Sequence, residues 1–271
     1  MDSILSQGVD ALELIVVDNG SGDGTAIFIK ENYPQIKLIE NSLNLGSARA
    51  RNQGIEVSRG EWVLSLDCDT VLSKDFLRSL KDALKNVIPE VGMIQPKILE
   101  PDKKTIYSMG IFVSFLRKFY DIGKGQKDLG QFDKIRYIFG ACSAAALYRK
   151  DMLAKIKQES GYFDERFFFL FEDVDLSWRS QKNGYRAIFY PQAMCCHYGN
   201  SSETSKKKRQ YLCLRNRYYT LLKNDYLINY ILPLFLYDLP RLLWILIFNF
   251  SALKAIKEAF VYKKQLRRLI K

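Results

Sequence analysis

Apolar and polar positions alternate in blocks along the start of the chain, and these blocks predict strands and helices in turn. Apolar, β-branched runs at Leu12–Val17, Ile36–Ile39 and Trp62–Leu66 predict buried strands. The segments between them combine helix-capping residues with spaced apolar positions and predict helices at about Ala26–Asn32 and Asn44–Gly54. This alternation predicts an α/β fold with a mostly parallel sheet flanked by helices.

The middle of the chain continues with a less regular pattern. Lys74–Asn86 has apolar residues on one face and predicts an amphipathic helix. Segments 97–109 and 117–134 are polar and turn-rich, and they predict loops. Apolar runs predict further strands at Val91–Gln95, Ile111–Phe115, Phe139–Tyr148 and Gly184–Tyr190.

The end of the chain, residues 206–271, differs in charge from the rest. It contains fifteen Lys and Arg against three Asp and Glu, a net charge of +12, so residues 1–205 carry −1 of the total of +11. Enzymes that act on nucleic acid usually surround their cleft with basic groups. A neutral body with a basic tail therefore argues against a nucleic-acid partner and favours an anionic membrane surface.

The segment Tyr226–Phe250 in this tail is strongly apolar but is interrupted near its middle. Asp238 and Arg241 fall there beside Pro233 and Pro240, and a charge at mid-bilayer is costly. The pattern predicts a helical hairpin, or two helices at the membrane surface, rather than one spanning helix. The alternative is that the apolar pieces pack on the preceding domain or form the interface of a homodimer.

Cysteine usage and the N-terminus predict a cytosolic setting. The chain has five cysteines, an odd number without a Cys-x-x-Cys pair, which favours reduced thiols. Met1–Leu5 lacks the basic segment and long apolar run of a signal peptide. Together with the basic tail, these features predict a cytoplasmic protein that is peripheral or monotopic at the inner face of the cell membrane.

Two acids, Asp67 and Asp69, directly follow the predicted strand Trp62–Leu66. Ligands of open α/β sheets bind beyond the carboxyl ends of strands, and paired carboxylates are hard ligands suited to a divalent cation that carries phosphates. The alternative is an ordinary strand end at which one acid caps the following turn. The spacing by itself leaves both interpretations open.

A glycine-rich loop, Asp18–Thr25, follows the first predicted strand. Its small residues would allow the backbone to approach a ligand closely. Similar turns are common between strands and helices that bind nothing, so the loop by itself indicates only a strand–turn–helix unit.

Three acids, Glu172, Asp173 and Asp175, follow an aromatic run and open a predicted helix. One interpretation is that they simply complement the helix dipole. The other is catalytic, because an aromatic wall raises the pKa of a neighbouring carboxylate and stacks on a sugar ring. His197, the one histidine of the chain, ends a predicted strand before the loop Gly199–Ser202 and is either structural or a ligand.

The order and spacing of these motifs resemble those of the inverting family 2 glycosyltransferases of the GT-A fold, especially the rhamnosyltransferase-like branch that builds cell-surface polysaccharides. The resemblance extends from about Leu12 to about Asn224. The matching segments are Val16–Thr25, Asn44-x-Gly46, Ala50-Arg51-Asn52-x-Gly54, Leu66-Asp67-x-Asp69, Gly161–Phe168, Phe171–Arg179, Gly184-Tyr185 and His197.

The resemblance implies a GT-A catalytic domain over residues 1–205 and a helical, basic, membrane-associating tail over 206–271. The catalytic domain would contain a nucleotide-binding half at about 1–95 and an acceptor half at about 96–205. It would transfer a sugar from a nucleoside-diphosphate sugar to a glycan or lipid-linked glycan acceptor with inversion. Such a reaction belongs to the synthesis of cell-surface polysaccharides or glycoconjugates.

The resemblance also implies roles for particular residues. Asp69, with Asp67 and His197, would hold Mg²⁺ or Mn²⁺ on the diphosphate, where the metal neutralises charge on the leaving group. Asp173 would be the general base toward the acceptor hydroxyl, and Glu172 would orient the base or the acceptor. The residues implied in nucleotide-sugar binding are Asp18, Asn44, Gly46, Arg51 and Asp67.

The sequence departs from the family pattern before Leu12. Family members begin with a further apolar strand, its nucleotide-contacting loop and a helix, whereas only about one helix precedes Leu12 here. Two other classes therefore stay open. One is a catalytically impaired, membrane-bound partner without a donor site, and the other is a different nucleotide-using enzyme such as a nucleotidyltransferase.

Overall fold

The structure is a computed structural model that describes residues 1–8, 13–199, 205–248 and 254–269. Parts of four predicted segments lie outside the described residues: Leu12, the loop positions 200–202, the end of the apolar stretch at 249–250 and the last residues, 270–271. The strands are β1 Ile15–Asp18, β2 Lys37–Glu40, β3 Trp62–Leu66, β4 Thr70–Leu72, β5 Val91–Leu99, β6 Ile106–Ser108, β7 Ile111–Val113, β8 Phe119–Asp121, β9 Arg136–Ile138, β10 Ala145–Arg149 and β11 Arg186–His197. The helices are α1 Asp2–Leu5, α2 Thr25–Asn32, α3 Ser47–Val57, α4 Phe76–Lys85, α5 Lys150–Ile156, α6 Glu172–Lys182, α7 Lys206–Asn224, α8 Leu227–Pro233, α9 Leu239–Phe248 and α10 Lys254–Leu269.

The central sheet is mixed, which corrects the expectation of a mostly parallel one. Its strand order is β3-β10-β5-β11-β4, with β6 beside β5 and β9 beside β11. β5 and β11 are parallel, whereas β10 runs antiparallel to both β3 and β5. The alternation of strands and helices predicted parallel neighbours, but β10 follows a long segment of short hairpin strands and enters between β3 and β5 in the opposite direction.

The predicted loops contain more regular structure than their composition indicated. β5 continues to Leu99 and pairs with β6, so segment 97–109 is not one loop. β8 lies within segment 117–134 and pairs with β7. The predicted strand Phe139–Tyr148 is shorter, because only its last part forms β10.

The alternation of side chains along the central strands builds a hydrophobic core on each face of the sheet. In β10, Ala146 and Tyr148 belong to one core, and Ala145 and Leu147 belong to the other. Along β5, all nine residues are buried. These two cores fix the register of the strands whose carboxyl ends carry the polar site.

β1 and β2 form a separate parallel pair. Within the described residues, β1 has no strand partner on its other side, and β3 pairs with β10 alone. α3 contacts both sheets, since Gly54 lies over Val17 of β1 and Arg51 bonds Ser65 of β3. The residues of β3 are half-buried rather than buried, and β3 is the edge strand of the central sheet in the described part of the chain.

The tail contains one long apolar helix, which corrects the expected break near Asp238–Arg241. α8 continues through a π-helical turn at Leu234–Asp238 into α9. Asp238 is fully buried there, because it pairs with Arg217 of α7 at 2.9 Å and accepts a hydrogen bond from Tyr230. In the described part of the chain, Ile228–Ile247 is long and apolar enough to cross a membrane by length and composition.

Candidate active site

The predicted site residues gather at the ends of several elements. Asp18 is the last residue of β1, and Asp67 follows β3. Glu172 and Asp173 form the start of α6. His197 ends β11 opposite Thr70 of β4, and this antiparallel register places its ring beside the two acids that follow β3.

Asp67, Asp69 and His197 form a cluster whose potential ligand atoms all lie within 4.8 Å of one another. His197 Nε2 is 3.0 Å from Asp69 Oδ1 and 3.6 Å from Asp67 Oδ2. Among the described residues, both carboxylate oxygens of Asp69 and Nδ1 of His197 are buried and have no hydrogen-bond partner, although Asp69 Oδ1 lies within ion-pair distance of His197 Nε2. Buried carboxylate oxygens without a donor are costly, so this cluster fits a divalent cation, for which carboxylate and imidazole are suitable ligands.

The charges around this cluster shift the pKa values of Asp67 and His197 in opposite directions, each toward its charged form. Burial raises the pKa of Asp67, but the positive charge of Arg51 and the hydrogen bond from His197 outweigh it and bring the pKa below its ordinary value. Burial lowers the pKa of His197, but Asp67 and Asp69 outweigh it and raise that pKa. The ring of Tyr107 packs on His197 with centroids 4.5 Å apart and fixes the imidazole from the side.

Arg51 connects the cation cluster to the start of α6. Its guanidinium lies 2.6 Å from Asp67 Oδ1 and 2.8 Å from Glu172 Oε1, and its Nε donates to Ser65. The two acids raise the pKa of this guanidinium above its ordinary value even though burial lowers it. Arg51 therefore pairs with Asp67 after β3 and with Glu172 at the start of α6, and it holds these two acidic segments together.

Glu172 and Asp173 are adjacent but have different surroundings. Glu172 is buried, and its Oε1 accepts hydrogen bonds from Arg51 and from Ser47 at 2.8 Å. Asp173 is half-buried and accepts from the backbone N–H of Ser143 at 3.3 Å and of Val174 at 2.8 Å. Burial, with the negative charges of Glu172 and Asp121, raises the pKa of Asp173 to about 7. A carboxylate that titrates near neutral pH suits a general base.

The remaining predicted residues lie in two linked loops beside β1. Asp18 is buried, and its Oδ1 accepts from the N–H of Ser21 at 3.3 Å. Asn19 donates to Asn44 Oδ1 at 3.1 Å, and the same oxygen accepts from the N–H of Gly46 at 2.9 Å. Asn44 and Gly46 thereby join the loop that opens α3 to the glycine-rich loop after β1.

Gly46 lies against Phe168, in the loop before α6. Its φ is 87°, and a Cβ at this position would clash with the carbonyl oxygen and ring of Phe168. Glycine is therefore required for backbone conformation and for close packing at this contact. The structure accounts for Gly46 through packing of the loop that leads to Glu172.

Residues 1–157 match the family model for glycosyl transferase family 2. This match covers more than half of the 271 residues. The chain belongs to glycosyl transferase family 2.

Similar family 2 enzymes include bacterial polysaccharide synthases. The chain is 28% identical over 199 residues to the poly-β-1,6-N-acetyl-D-glucosamine synthase of Staphylococcus epidermidis strain RP62A, an alignment that covers 72% of this chain and 45% of that protein. It is 27% identical over 198 residues to the synthase of Staphylococcus aureus strain COL, with the same coverage. The chain thus spans less than half the length of these curated relatives.

Solved structures of glycosyltransferases share the fold. S. aureus TarS superimposes with a TM-score of 0.57 at 16% identity, over 87% of this chain and 40% of that chain. The mannosyltransferase PcManGT of Pyrobaculum calidifontis, in complex with GDP-Man and Mn²⁺, superimposes with a TM-score of 0.54 at 20% identity, over 82% of this chain and 58% of that chain. These likenesses confirm the predicted GT-A fold.

Sequence reasoning missed four residues that contribute to the candidate site of this family 2 member. Tyr107 lay in a predicted loop, and the backbone of Ser143 lay in a predicted strand. Arg215 and Asn216 of α7 contact the loop before α6 through their side chains. The available signal was a polar Arg-Asn-Arg triplet in an otherwise Leu- and Tyr-rich helix. Because this triplet lies in the tail, the sequence did not connect it with the site.

Proposed function

We propose that this chain transfers a sugar from a nucleoside-diphosphate sugar to a glycan or lipid-linked glycan acceptor, with inversion at the sugar. The supporting observation is that Arg51 joins the candidate cation cluster to a pair of acids, one of which, Asp173, has its pKa raised to about 7. Metal-assisted departure of a diphosphate and removal of a proton from the acceptor are the two requirements of such a transfer.

The proposed cation ligands are Asp69, Asp67 and His197, and either Mg²⁺ or Mn²⁺ suits them. When bound, the cation would neutralise the charge of the departing diphosphate. Asp69 is the principal ligand in this proposal, because both of its carboxylate oxygens are buried and accept no hydrogen bond from any described residue. Asp67 shares its charge with Arg51, so it would hold the ion more weakly.

Asp173 is the proposed general base. It would accept the proton of the acceptor hydroxyl as that oxygen attacks the sugar on the face opposite the diphosphate, which inverts the configuration. Glu172 is held by Arg51 and Ser47 and would orient the start of α6 rather than take the proton. Asp18, Asn44, Gly46 and Arg51 would shape the site for the nucleotide sugar.

We further propose the finer organisation implied by the family pattern: a nucleotide-binding half at about 1–95, an acceptor half at about 96–205 and a tail from 206. The motif spacing favours the rhamnosyltransferase-like branch, so nucleoside-diphosphate rhamnose is the first donor class to test. Synthesis of cell-surface polysaccharide or glycoconjugate is the proposed setting.

Among the described residues, β1 and β3 are each paired with one strand only, and α3 contacts both. Unpaired, half-buried apolar strand edges invite pairing with another segment. We propose that a parallel strand encoded upstream of Met1 lies between β1 and β3 and completes the sheet that binds the nucleotide.

The tail is proposed to lie on an anionic membrane surface. One face of the α8–α9 helix exposes large apolar side chains, among them Phe235, Leu243 and Trp244, whereas Asp238 faces inward. The cationic groups of Lys206–Arg209 and α10 lie on either side of this helix in the sequence and would be attracted to anionic lipid. Attachment of this kind would confine the enzyme and a lipid-linked acceptor to one surface.

The proposed function is tested by incubating the purified chain with individual nucleotide sugars and Mn²⁺ or Mg²⁺. Release of a nucleoside diphosphate that depends on the cation and is lost in Asp69→Asn would support it. Release of a nucleoside monophosphate or pyrophosphate would instead indicate nucleotidyl transfer. The proposal would be contradicted if a chain extended upstream to include the proposed strand turned over none of the nucleotide sugars tested.

A further inference from the structure

The loop 166–171, which leads directly into Glu172 and Asp173, has an unusual backbone conformation. Phe168, Leu170 and Phe171 have φ values of 64°, 69° and 72°, in a region that residues other than glycine seldom adopt. Such conformations persist where the surrounding structure holds them, and they cluster at functional sites. The loop therefore needs external support to direct the two carboxylates.

Asn216 of α7 provides part of this support. Its side-chain Nδ2 donates to the carbonyl oxygens of Leu170 at 2.7 Å, Phe169 at 2.8 Å and Phe167 at 3.1 Å. The side chain is fully buried. Because these carbonyls precede α6, this amide group helps to determine how the chain enters the helix that carries Glu172 and Asp173.

Arg215 completes the contact from the same helix. Its Nη2 donates to the carbonyl oxygens of Arg166 at 3.0 Å and Phe167 at 2.9 Å. Its Nε donates to Asn216 Oδ1 at 3.0 Å. The last bond turns the oxygen of Asn216 away from the loop, so that its amide nitrogen faces the carbonyls.

The opposite side of the loop is held by α3. The carbonyl oxygen of Phe168 accepts from the N–H of Ala48 at 3.4 Å and from the hydroxyl of Ser47 at 3.3 Å. Every carbonyl from Arg166 to Leu170 therefore has a donor in α7 or α3. The loop is clamped between two helices, and Ser47 also binds Glu172.

We propose that Arg215 and Asn216 are positioning residues for sugar transfer, which hold the 166–171 loop so that Asp173 points toward the acceptor hydroxyl. This inference rests on the proposed function of Asp173. Both residues lie beyond the segment 1–157 that matches the family model. The start of the tail would accordingly be part of the catalytic unit, in addition to any contact that later helices make with a membrane.

The test compares Asn216→Ala and Asn216→Asp with the control Asn224→Ala in the full chain. The Asp variant keeps the shape of the side chain but presents an oxygen where the donor stood. Asn224 is a buried residue of the same helix and donates to Asp175 Oδ1 at 2.7 Å in the first turn of α6, not to a carbonyl of the 166–171 loop. The control therefore removes a buried hydrogen bond of α7 without releasing the loop.

Four quantities are measured: amide hydrogen exchange of residues 167–172, the melting temperature, kcat and KM for the donor, and the pH midpoint of kcat. We expect faster exchange and a kcat about 10²-fold lower in both Asn216 variants, with KM for the donor within twofold. The pH midpoint is expected to fall toward the ordinary value of an aspartate, as a loosened loop hydrates Asp173. Asn224→Ala should lose melting temperature but retain kcat and the pH midpoint.

Arg215→Ala replaces the Asn216 variants if these do not fold, since the Arg215 side chain is partly exposed. Its loss should also give faster exchange of residues 167–172, a lower kcat and a lower pH midpoint. Unchanged exchange of 167–172 would overturn the clamp. Faster exchange with a kcat and pH midpoint equal to those of Asn224→Ala would overturn the positioning role. Absence of transfer by the unaltered chain would refute the proposed function and the positioning role with it, while the exchange result would still show whether the clamp exists.

Discussion

Glu172 and Asp173 are neighbours in sequence, but Glu172 is ion-paired to Arg51 at 2.8 Å whereas Asp173 is held by backbone N–H groups. The charge of Glu172 is therefore neutralised by Arg51, whereas the carboxylate of Asp173 remains available to accept a proton.

Asp173→Asn is expected to abolish transfer, because removal of a positioned base typically costs about 10²–10⁴-fold in rate. Donor affinity should be nearly unchanged, since the base acts on the acceptor. Calorimetric titration of donor and steady-state rates provide the measurement. Glu172→Gln is the matched variant and should lower the melting temperature through loss of the Arg51 pair. An active Asp173→Asn beside an inactive Glu172→Gln would mean that the two roles are exchanged.

The rate of transfer should rise with pH and level off above a midpoint near 7. Asp173 accepts a proton only when ionised, and its pKa is raised to about 7 by burial and by Glu172 and Asp121, against the effect of Arg51. A profile of kcat between pH 5 and 9 at saturating cation measures the midpoint. A flat profile across this range would contradict the assignment.

The same shift predicts a change in stability of known sign. A carboxyl whose pKa is higher in the folded than in the unfolded chain destabilises the fold as pH rises from about 4 to about 7. Asp173→Asn removes this penalty, so the variant should gain stability relative to the unaltered chain on going from pH 5 to pH 8. Urea denaturation at both pH values provides the comparison. If the difference in unfolding free energy between Asp173→Asn and the unaltered chain is the same at pH 5 and pH 8, the pKa of Asp173 is not raised by folding.

Asp69→Asn should leave the fold intact and eliminate cation-dependent activity, because it removes the charge of the principal proposed ligand. Binding of Mn²⁺ by the chain without donor gives a readout independent of turnover. His197→Ala should weaken cation or donor affinity more than it lowers kcat. Full activity of Asp69→Asn at saturating donor during a Mn²⁺ titration would exclude this metal site.

A chain extended upstream by about one strand and helix should melt at a higher temperature and bind the donor more tightly. The added strand would pair with β1 and β3, each of which has one strand partner among the described residues. Thermal denaturation and donor titration of the two chain lengths provide the measurement. Equal melting temperatures together with equal donor affinities would show that the sheet is already complete.

The full chain should co-sediment with anionic liposomes more than with neutral ones, and salt should weaken this binding. A chain that ends near Asn224 should lose most of the binding, because it lacks the apolar α8–α9 helix and the cationic α10. A full chain that remains monomeric in solution without lipid or detergent would contradict membrane attachment.

Much of the site was predictable because its motifs are local. Asp67 and Asp69 end a strand whose apolar run predicted its bounds correctly, and the three acids open α6 as predicted. The match of residues 1–157 confirms the family that these motifs resemble. Periodicity and turn residues determine such features over a few positions, and no distant contact is required to recognise them.

The tertiary structure decided how distant segments use these residues. Arg51 and Glu172 are 121 positions apart, and their pairing separates the structural acid from the available one. The interruption expected at Asp238 is absent because Arg217, on a different helix, neutralises its charge. β10 enters antiparallel between β3 and β5, and Asn216 supports a loop some 46 residues earlier. Each of these outcomes depends on which groups meet after folding, since the same charge or amide is costly alone and favourable with its partner.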